Sequence, residues 1–485
     1  MQKLSPDGYT LDKDSLLRFF EHCAAVAEQK QHFVVASITI PTQHIDPLAV
    51  LESVYEEDDY HFYSECTAQG EAVAGIEAVL AETFEGPERF ERVKQFSEEI
   101  LEHTIAVGDF SVPFAGPHFF CGFTFSDDKE SAQAPFAPAS VFLPRFQVAR
   151  KGGAYAAVAN MVIQPGEDVA PLIFGVWAAY NKFNAFDYSG EECEPPKAPK
   201  ELIVKECGVP GGYEAAVAEA VEAIRANQYQ KIVLARALDV QQEEGGLFDP
   251  LEPLYTLREK FPSCYAFSFS CGSGKSFMGA TPERLLRVED SVLKTEALAG
   301  SVRRGTHARE DAKLEKRLLS SDKDQREHQY IVDYITSQLE ALNIEPEVGG
   351  EPRLLKLHNV QHLLTPITAQ LPEPCHALDV LQALHPTPAV GGIPVSVIKD
   401  EISRLEAFDR GLYAGTLGWF NDQGNSETIV AIRSALIDGK TVRLYAGAGI
   451  VEGSVPEKEK QETDLKFSAL GDVFGVNHVK ESARL

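Results

Sequence analysis

Apolar residues recur along this chain with two different periods. In HFVVASITI (32–40) and SVFLPRFQVAR (140–150) they alternate or run together as in strands. In PERFERVKQFSEEILEHT (87–104) charge separates them at helical spacing, which predicts a helix with a polar face. Val217, Ala220, Val221 and Ile224 form a helical stripe over 213–227, and KIVLARALDV (231–240) follows it as a strand. YAFSFS (265–270) and LLRVED (285–290) come next, then one long helix over 310–342 with Leu314, Leu318, Ile331, Ile335 and Leu339 at core spacing. The end holds ETIVAIRSALI (427–437), TVRLYAGAGIV (441–451) and a last helix. Ser454-Val455-Pro456-Glu457 fits a capping box at the start of that helix, with Pro inside the first turn.

Strands and helices do not alternate strictly. That order favours an α+β protein with large antiparallel sheets over a doubly wound fold. No fixed-period repeat interrupts it. Ser189 to Lys200, SGEECEPPKAPK, is rich in Pro, Glu and Lys and reads as a connector.

Composition narrows the class. The 485 residues carry 45 Lys plus Arg against 73 Asp plus Glu, a formal charge of -28. Such a surface repels phosphate backbones and anionic lipid, which argues against nucleic-acid and membrane partners. The apolar share of 44% is ordinary for a chain that buries a core. Eight cysteines form no CxxC pair and no zinc-ligand spacing, as expected of free thiols in a reducing compartment. The polar start MQKLSPDGYTLDKD is not expected to act as a signal peptide, and the apolar stretch at 169–180 is too short to span a bilayer. The expected setting is the cytoplasm.

Two acidic pairs are candidates for chemistry. Asp324 and Glu327 in DKDQREHQ, and Glu459 and Glu462 in PEKEKQET, each stand three residues apart on one helix face. Such carboxylates are ordinarily solvated; facing each other inward, they would make an oxygen-rich site suited to Mg²⁺. Lys466, four residues after Glu462, is an ordinary helical ion pair unless Glu462 is a metal ligand. Lys231 opens an apolar strand. With its head in solvent it is unremarkable, but buried it would lose its proton more readily and could act as a base. Glu283 in GATPERLL is a turn carboxylate that becomes a proton donor if enclosed. The glycines of HPTPAVGGIP (385–394) and YAGAGIVEG (445–453) match no nucleotide loop and allow close backbone approach to a ligand.

Taken in order, KIVLAR, ATPERLL, TEALAGSVRRG, DKDQREHQ, VQHL, HPTPAVGGIP, RGLYAG, AIRSA, YAGAGIVEGS and EKEKQETDLK resemble the chorismate-utilising enzymes, over residues 205 to 475 above all. The family includes anthranilate, aminodeoxychorismate, isochorismate and salicylate synthases. The resemblance implies one large α+β domain spanning 1–485, with two antiparallel sheets packed face to face and helices outside. In it a variable half (1–205) precedes a chorismate-binding core (206–480). It implies that Glu327 and Glu462 bind Mg²⁺, supported by Asp324 and Glu459, and that the metal chelates the ring carboxylate of chorismate. It places Arg433 and Tyr413 on the enolpyruvyl carboxylate, and Gly300, Ser301, His362, Ala389, Gly447, Gly449 and Lys466 around the substrate.

The family divides by nucleophile. Members that use ammonia generally lack the lysine found here as Lys231; members that use water have it. Aminodeoxychorismate synthases often carry a nucleophilic lysine where this chain has Ala299. Salicylate synthases tend to have Thr at Ala389, and the PTPAVGG form is typical of isochorismate synthases. Ser301 departs from a commoner Thr but keeps the hydroxyl. The resemblance therefore implies conversion of chorismate to isochorismate, with Lys231 as base and Glu283 as acid, for menaquinone rather than siderophore synthesis. Salicylate synthesis, and chorismate binding without catalysis, are the alternatives.

Overall fold

The computed structural model describes residues 1–4, 12–42, 44–129, 134–184, 202–243, 245–357 and 360–476. The connector read at Ser189–Lys200 lies outside the described residues. Among those described, 22 strands join in one hydrogen-bonded network, accompanied by 11 helices.

Two long strands organise it. Glu71–Phe84 and Ala139–Lys151 pair antiparallel along nearly their whole length. Their register shifts between Ala78 and Leu80, where Glu77 has φ 54°. A bulge of this kind bends a strand and sharpens its twist, so one pair can serve two layers. One layer continues through Tyr60–Cys66, Tyr265–Cys271, Lys275–Thr281, Ser434–Asp438 and Thr441–Ile450 to Lys231–Gln242. The other runs through His118–Phe123, Thr416–Asn421, Ser426–Val430, Arg284–Glu289 and Val292–Arg303 to Val360–Gln370. All these pairings are antiparallel. In both layers a strand from before the connector pairs directly with one from after it, Tyr60–Cys66 with Tyr265–Cys271 and His118–Phe123 with Thr416–Asn421, so neither half completes a layer alone.

The layers meet through aromatic rings. Phe62 stacks on Phe120 of the opposite layer at 4.8 Å, and a Cβ on Gly122 would lie 2.8 Å from Phe269. Each such buried phenylalanine contributes roughly 1.5–3 kcal/mol. Alternate residues of the same strands, among them Tyr63, Ala74, Ala266 and Met278, face a second core. Phe19, Phe20 and Cys23 of helix Lys13–Lys30 join that core. The period of two seen in the sequence thus divides one core from the other.

Three sequence expectations are corrected. The helix expected over 310–342 is two, Ala308–Leu319 and Asp322–Ala341. They part where Ser321 turns its hydroxyl to accept from the Asp324 amide at 3.3 Å, a capping preference that overrides the continuous stripe. The capping box at Ser454 does not form. Helix Pro456–Gly471 starts from Val455 with no side-chain cap, and the Ser454 hydroxyl instead accepts from the Val451 amide at 3.2 Å. The run ETIVAIRSALI is broken into Ser426–Val430 and Ser434–Asp438. Between them Arg433 takes φ 51°, a left-handed conformation costing a residue with a Cβ ~1–2 kcal/mol.

Candidate active site

The site is built on the strand that starts at Lys231. A lysine at a strand end usually reaches solvent, yet Lys231 is 1% exposed. The segment 391–393 covers it: Gly391 O accepts from the Val233 amide at 2.7 Å and Ile393 O from the Gln230 amide at 2.8 Å. Only glycine permits this approach, since a Cβ on Gly392 would lie 2.2 Å from the Lys231 carbonyl oxygen. Beneath this cover Lys231 Nζ donates to Glu327 Oε1 at 2.8 Å. Its neighbour strand brings Gly449 opposite Val233 and Gly447 opposite Ala235. A Cβ on Gly449 would press on Glu327 Oε1 at 2.9 Å, and one on Gly447 on the Tyr413 hydroxyl at 2.7 Å. The two glycines keep that wall bare where charged and phenolic groups gather.

Glu283 enters from the opposite layer, on the turn before strand Arg284–Glu289. Its carbonyl accepts from the Val430 amide at 3.0 Å, which fixes the turn. The side chain is 8% exposed. Burial pushes its carboxyl up to about 7, against the pull of Lys231 and Arg433. Desolvation thus outweighs two nearby cations, and the acid keeps its proton near neutrality. Burial also lowers the Arg433 guanidinium from its ordinary value, and the left-handed backbone at Arg433 is local strain of the kind that collects at functional sites.

On the neighbouring strand Gly300, at φ 68°, marks a register shift between Ala299 and Ser301. That bulge sets Ser301 opposite His362, with Ser301 Oγ 2.9 Å from His362 Nδ1. Burial pushes His362 down to about 3, so the imidazole is neutral. Its Nε2 is buried with no protein partner among the described residues.

The acidic helices bring their carboxylates to the same end. Glu462 accepts from Lys466 Nζ at 2.8 Å, and Lys466 also reaches the Gly447 carbonyl at 2.7 Å. Burial would raise Glu462, but Lys466 holds it below its ordinary value. Asp324 and Glu459 are both raised, first by burial and further by the charges of Glu327 and Glu462. Such mutual repulsion marks a place where a cation would be stabilising. Among the described residues no three His, Cys, Asp or Glu side chains are arranged to hold a metal ion. Glu327 and Glu462 each give one oxygen to a lysine. The donor set therefore fits Mg²⁺ held by one or two carboxylates and completed by water and ligand, rather than an all-protein cage.

Lys231, Glu283, Glu327 and Glu462 line one cavity together with Gly300, Ser301, His362, Ala389, Tyr413, Arg433, Gly447, Gly449 and Lys466. Asp324 and Glu459 are not in its wall: Asp324 packs behind Gly300, its Cβ 3.2 Å from where a side chain there would start, and Glu459 lies 3.8 Å from Lys323. Sequence reasoning passed over Tyr445, which also lines the cavity and stacks on Tyr413 at 5.1 Å and 11°. Its signal was present, since it opens the glycine segment YAGAGIVEG.

A cavity that holds a buried acid, a buried lysine and further cations suits a small anionic molecule. The chain belongs to the family described as chorismate binding enzyme, which matches residues 18–475. It is 34% identical over 479 residues to the salicylate biosynthesis isochorismate synthase of Pseudomonas aeruginosa, covering 98% of this chain and 97% of that one. It is 32% identical over 473 residues to the isochorismate synthase MenF of Bacillus subtilis, covering 94% and 96%. Among solved structures, MenF, the menaquinone-specific isochorismate synthase from Escherichia coli, superposes with a TM-score of 0.74 at 26% identity, covering 95% of this chain and 99% of that one.

Proposed function

We propose that this protein is an isochorismate synthase, an Mg²⁺-dependent isomerase that moves a hydroxyl from C4 to C2 of chorismate. The observation that carries the reading is the buried pair of opposite chemistry in one cavity. Lys231 is sealed from solvent, and Glu283 is held protonated to about pH 7. A sealed lysine and a carboxyl that keeps its proton, in one cavity, offer a base and an acid. Full-length likeness to two proteins named isochorismate synthase supports it.

Lys231, in its amine form, takes a proton from the water that attacks C2. An amine also has N–H bonds, so donating to Glu327 leaves its lone pair available. Glu283 gives its proton to the hydroxyl leaving C4, and the ring double bonds shift. Arg433 and Tyr413 hold the enolpyruvyl carboxylate, and the neutral His362 offers its unpartnered nitrogen to the substrate. Mg²⁺ bound at Glu327 and Glu462 would neutralise the ring carboxylate and draw electron density towards it. One turnover leaves Lys231 protonated and Glu283 ionised, the state that starts the reverse reaction. The enzyme therefore equilibrates the two isomers rather than driving one.

The assay that tests this is chromatography of products from chorismate plus Mg²⁺. Isochorismate in equilibrium with chorismate is expected. Salicylate plus pyruvate as main products would make the protein a salicylate synthase, and no turnover would leave a chorismate-binding protein. We place the enzyme in the cytoplasm, in keeping with seven free cysteines among the described residues. We place its product in menaquinone synthesis, in keeping with the likeness to MenF. The comparable likeness to an isochorismate synthase of salicylate biosynthesis makes that pathway the second reading. Menaquinone content in a strain lacking the gene separates them.

Two predictions arise here. Glu327→Gln or Glu462→Gln removes a charged oxygen ligand, so Mg²⁺ affinity measured by titration should fall ~10-fold or more, with activity partly restored by excess metal. Unchanged affinity in both variants removes the two-helix metal site. Ala389→Thr adds a hydroxyl and a β-branch in the cavity wall. It should slow isomerisation and raise the salicylate fraction. If Ala389 merely packs, the variant loses ~1–3 kcal/mol of stability from overpacking and keeps its product ratio.

A further inference from the structure

The edge of the Lys231 strand has a gap. Lys231 and Ile232 pair with Ile393 and Gly392, and Leu238 to Gln242 pair with Glu206 to Leu202. Between these stretches no strand among the described residues lies alongside. Two side chains take its place. Arg410 Nη2 donates to the Val233 carbonyl at 2.8 Å, and Glu406 Oε1 accepts from the Ala235 amide at 2.7 Å. The two are joined to each other at 2.6 and 2.9 Å, and each side chain is 2% exposed. Arg410 Nη1 reaches the Val390 carbonyl at 2.8 Å. The Arg410 carbonyl accepts from the Tyr413 amide at 2.9 Å, and the guanidinium lies 4.4 Å from the Phe125 ring centre.

Val233, Val390 and Tyr413 all line the cavity, as does Ala389. One ion pair therefore ties the base-bearing strand, the alanine loop and the tyrosine wall to a common frame. A buried ion pair is a poor source of stability, because desolvation consumes most of its attraction. Its value here is geometric: a planar fork reaching two carbonyls and a carboxylate at once fixes the distance between them.

We propose that the Arg410–Glu406 pair is a positioning device that holds the Ala389–Val390 wall at a set distance from the Lys231 strand and so confines the reaction to hydroxyl transfer. This rests on the isochorismate synthase reading. The reaction it suppresses is loss of pyruvate from isochorismate. In that step the C3–O bond breaks, the C2 hydrogen moves to the enolpyruvyl methylene, and pyruvate leaves an aromatic salicylate. The transfer needs the enolpyruvyl group turned towards C2, and a wall that shifts outward gives it room to turn.

The test compares wild type, Arg410→Lys and Glu406→Gln with chorismate and Mg²⁺, reading kcat, KM and the ratio of pyruvate to isochorismate. Lysine keeps the charge but cannot hold both carbonyls and the carboxylate in one plane. Glutamine keeps the size and loses the charge. Both variants should lower kcat ~10–100-fold, the usual consequence of a small misplacement in a site. KM should stay within ~3-fold, because Arg433 and Lys466 are untouched, and the pyruvate ratio should rise. Taken from initial rates, the ratio is independent of how much protein is folded, so a merely structural role would not move it. Variants with the wild-type ratio would overturn the proposal whatever their kcat, as would two variants that do not fold. Wild-type protein that makes no isochorismate would instead remove the reading beneath it.

Discussion

Lys231→Ala will lower turnover of chorismate by ~10²–10⁴-fold, the usual cost of removing a general base. The structure makes the effect hard to rescue. Lys231 is 1% exposed under the segment that hydrogen-bonds to Val233 and Gln230, so bulk water cannot readily supply another base. Arg433 and Lys466 remain, and chorismate binding should persist. The loss belongs in kcat, apart from whatever binding is spent on leaving Glu327 without its lysine. Binding titrations beside turnover assays separate the two. A variant within a factor of two of wild type would remove Lys231 from the mechanism.

The second large effect concerns Glu283. The carboxyl must be protonated to donate, and burial holds it up to about 7. Turnover of wild type should therefore decline as pH rises through that value. Glu283→Gln should lose ~10²–10⁴-fold, and this alkaline limb should disappear from what activity remains. The same burial has a stability consequence of defined sign. The folded state binds this proton more tightly than the unfolded chain, whose carboxyl titrates near 4.5. Stability from that proton is complete below the lower value and lost as pH rises towards 7. Glu283→Gln, which cannot ionise, should therefore gain in Tm relative to wild type between pH 5 and pH 8. A constant Tm difference across that range would mean that the carboxyl is not desolvated, and an unchanged alkaline limb would assign the acid elsewhere.

Much of this protein follows from local sequence. The period of two in 32–40 and 140–150 became strands because each must bury one face, and the stripe at Val217, Ala220, Val221 and Ile224 became helix Gly212–Arg225. The family and the residues of its cavity were legible because motifs keep their order along the chain even when the fold scatters them. What was not legible depends on contacts between distant residues. Local preference wrote a cap at Ser454, but the turn at Val451 took its hydroxyl. An apolar run joined 427 to 437, but the cavity wall required Arg433 to break it. Lys231 looked like a solvated strand end until Gly392, 161 positions later in the sequence, closed over it. Arg410 opens the motif RGLYAG and Glu406 stands four residues before it, but that spacing does not show that both turn inward. Their partners at Val233, Ala235 and Val390 are backbone atoms, which no side-chain pattern records. Sequence fixed which groups are present and which faces are apolar, through short-range periodicity and burial. Only tertiary packing decided which charged groups lose their water, and with that which carboxyl keeps its proton and which lysine is sealed beside it.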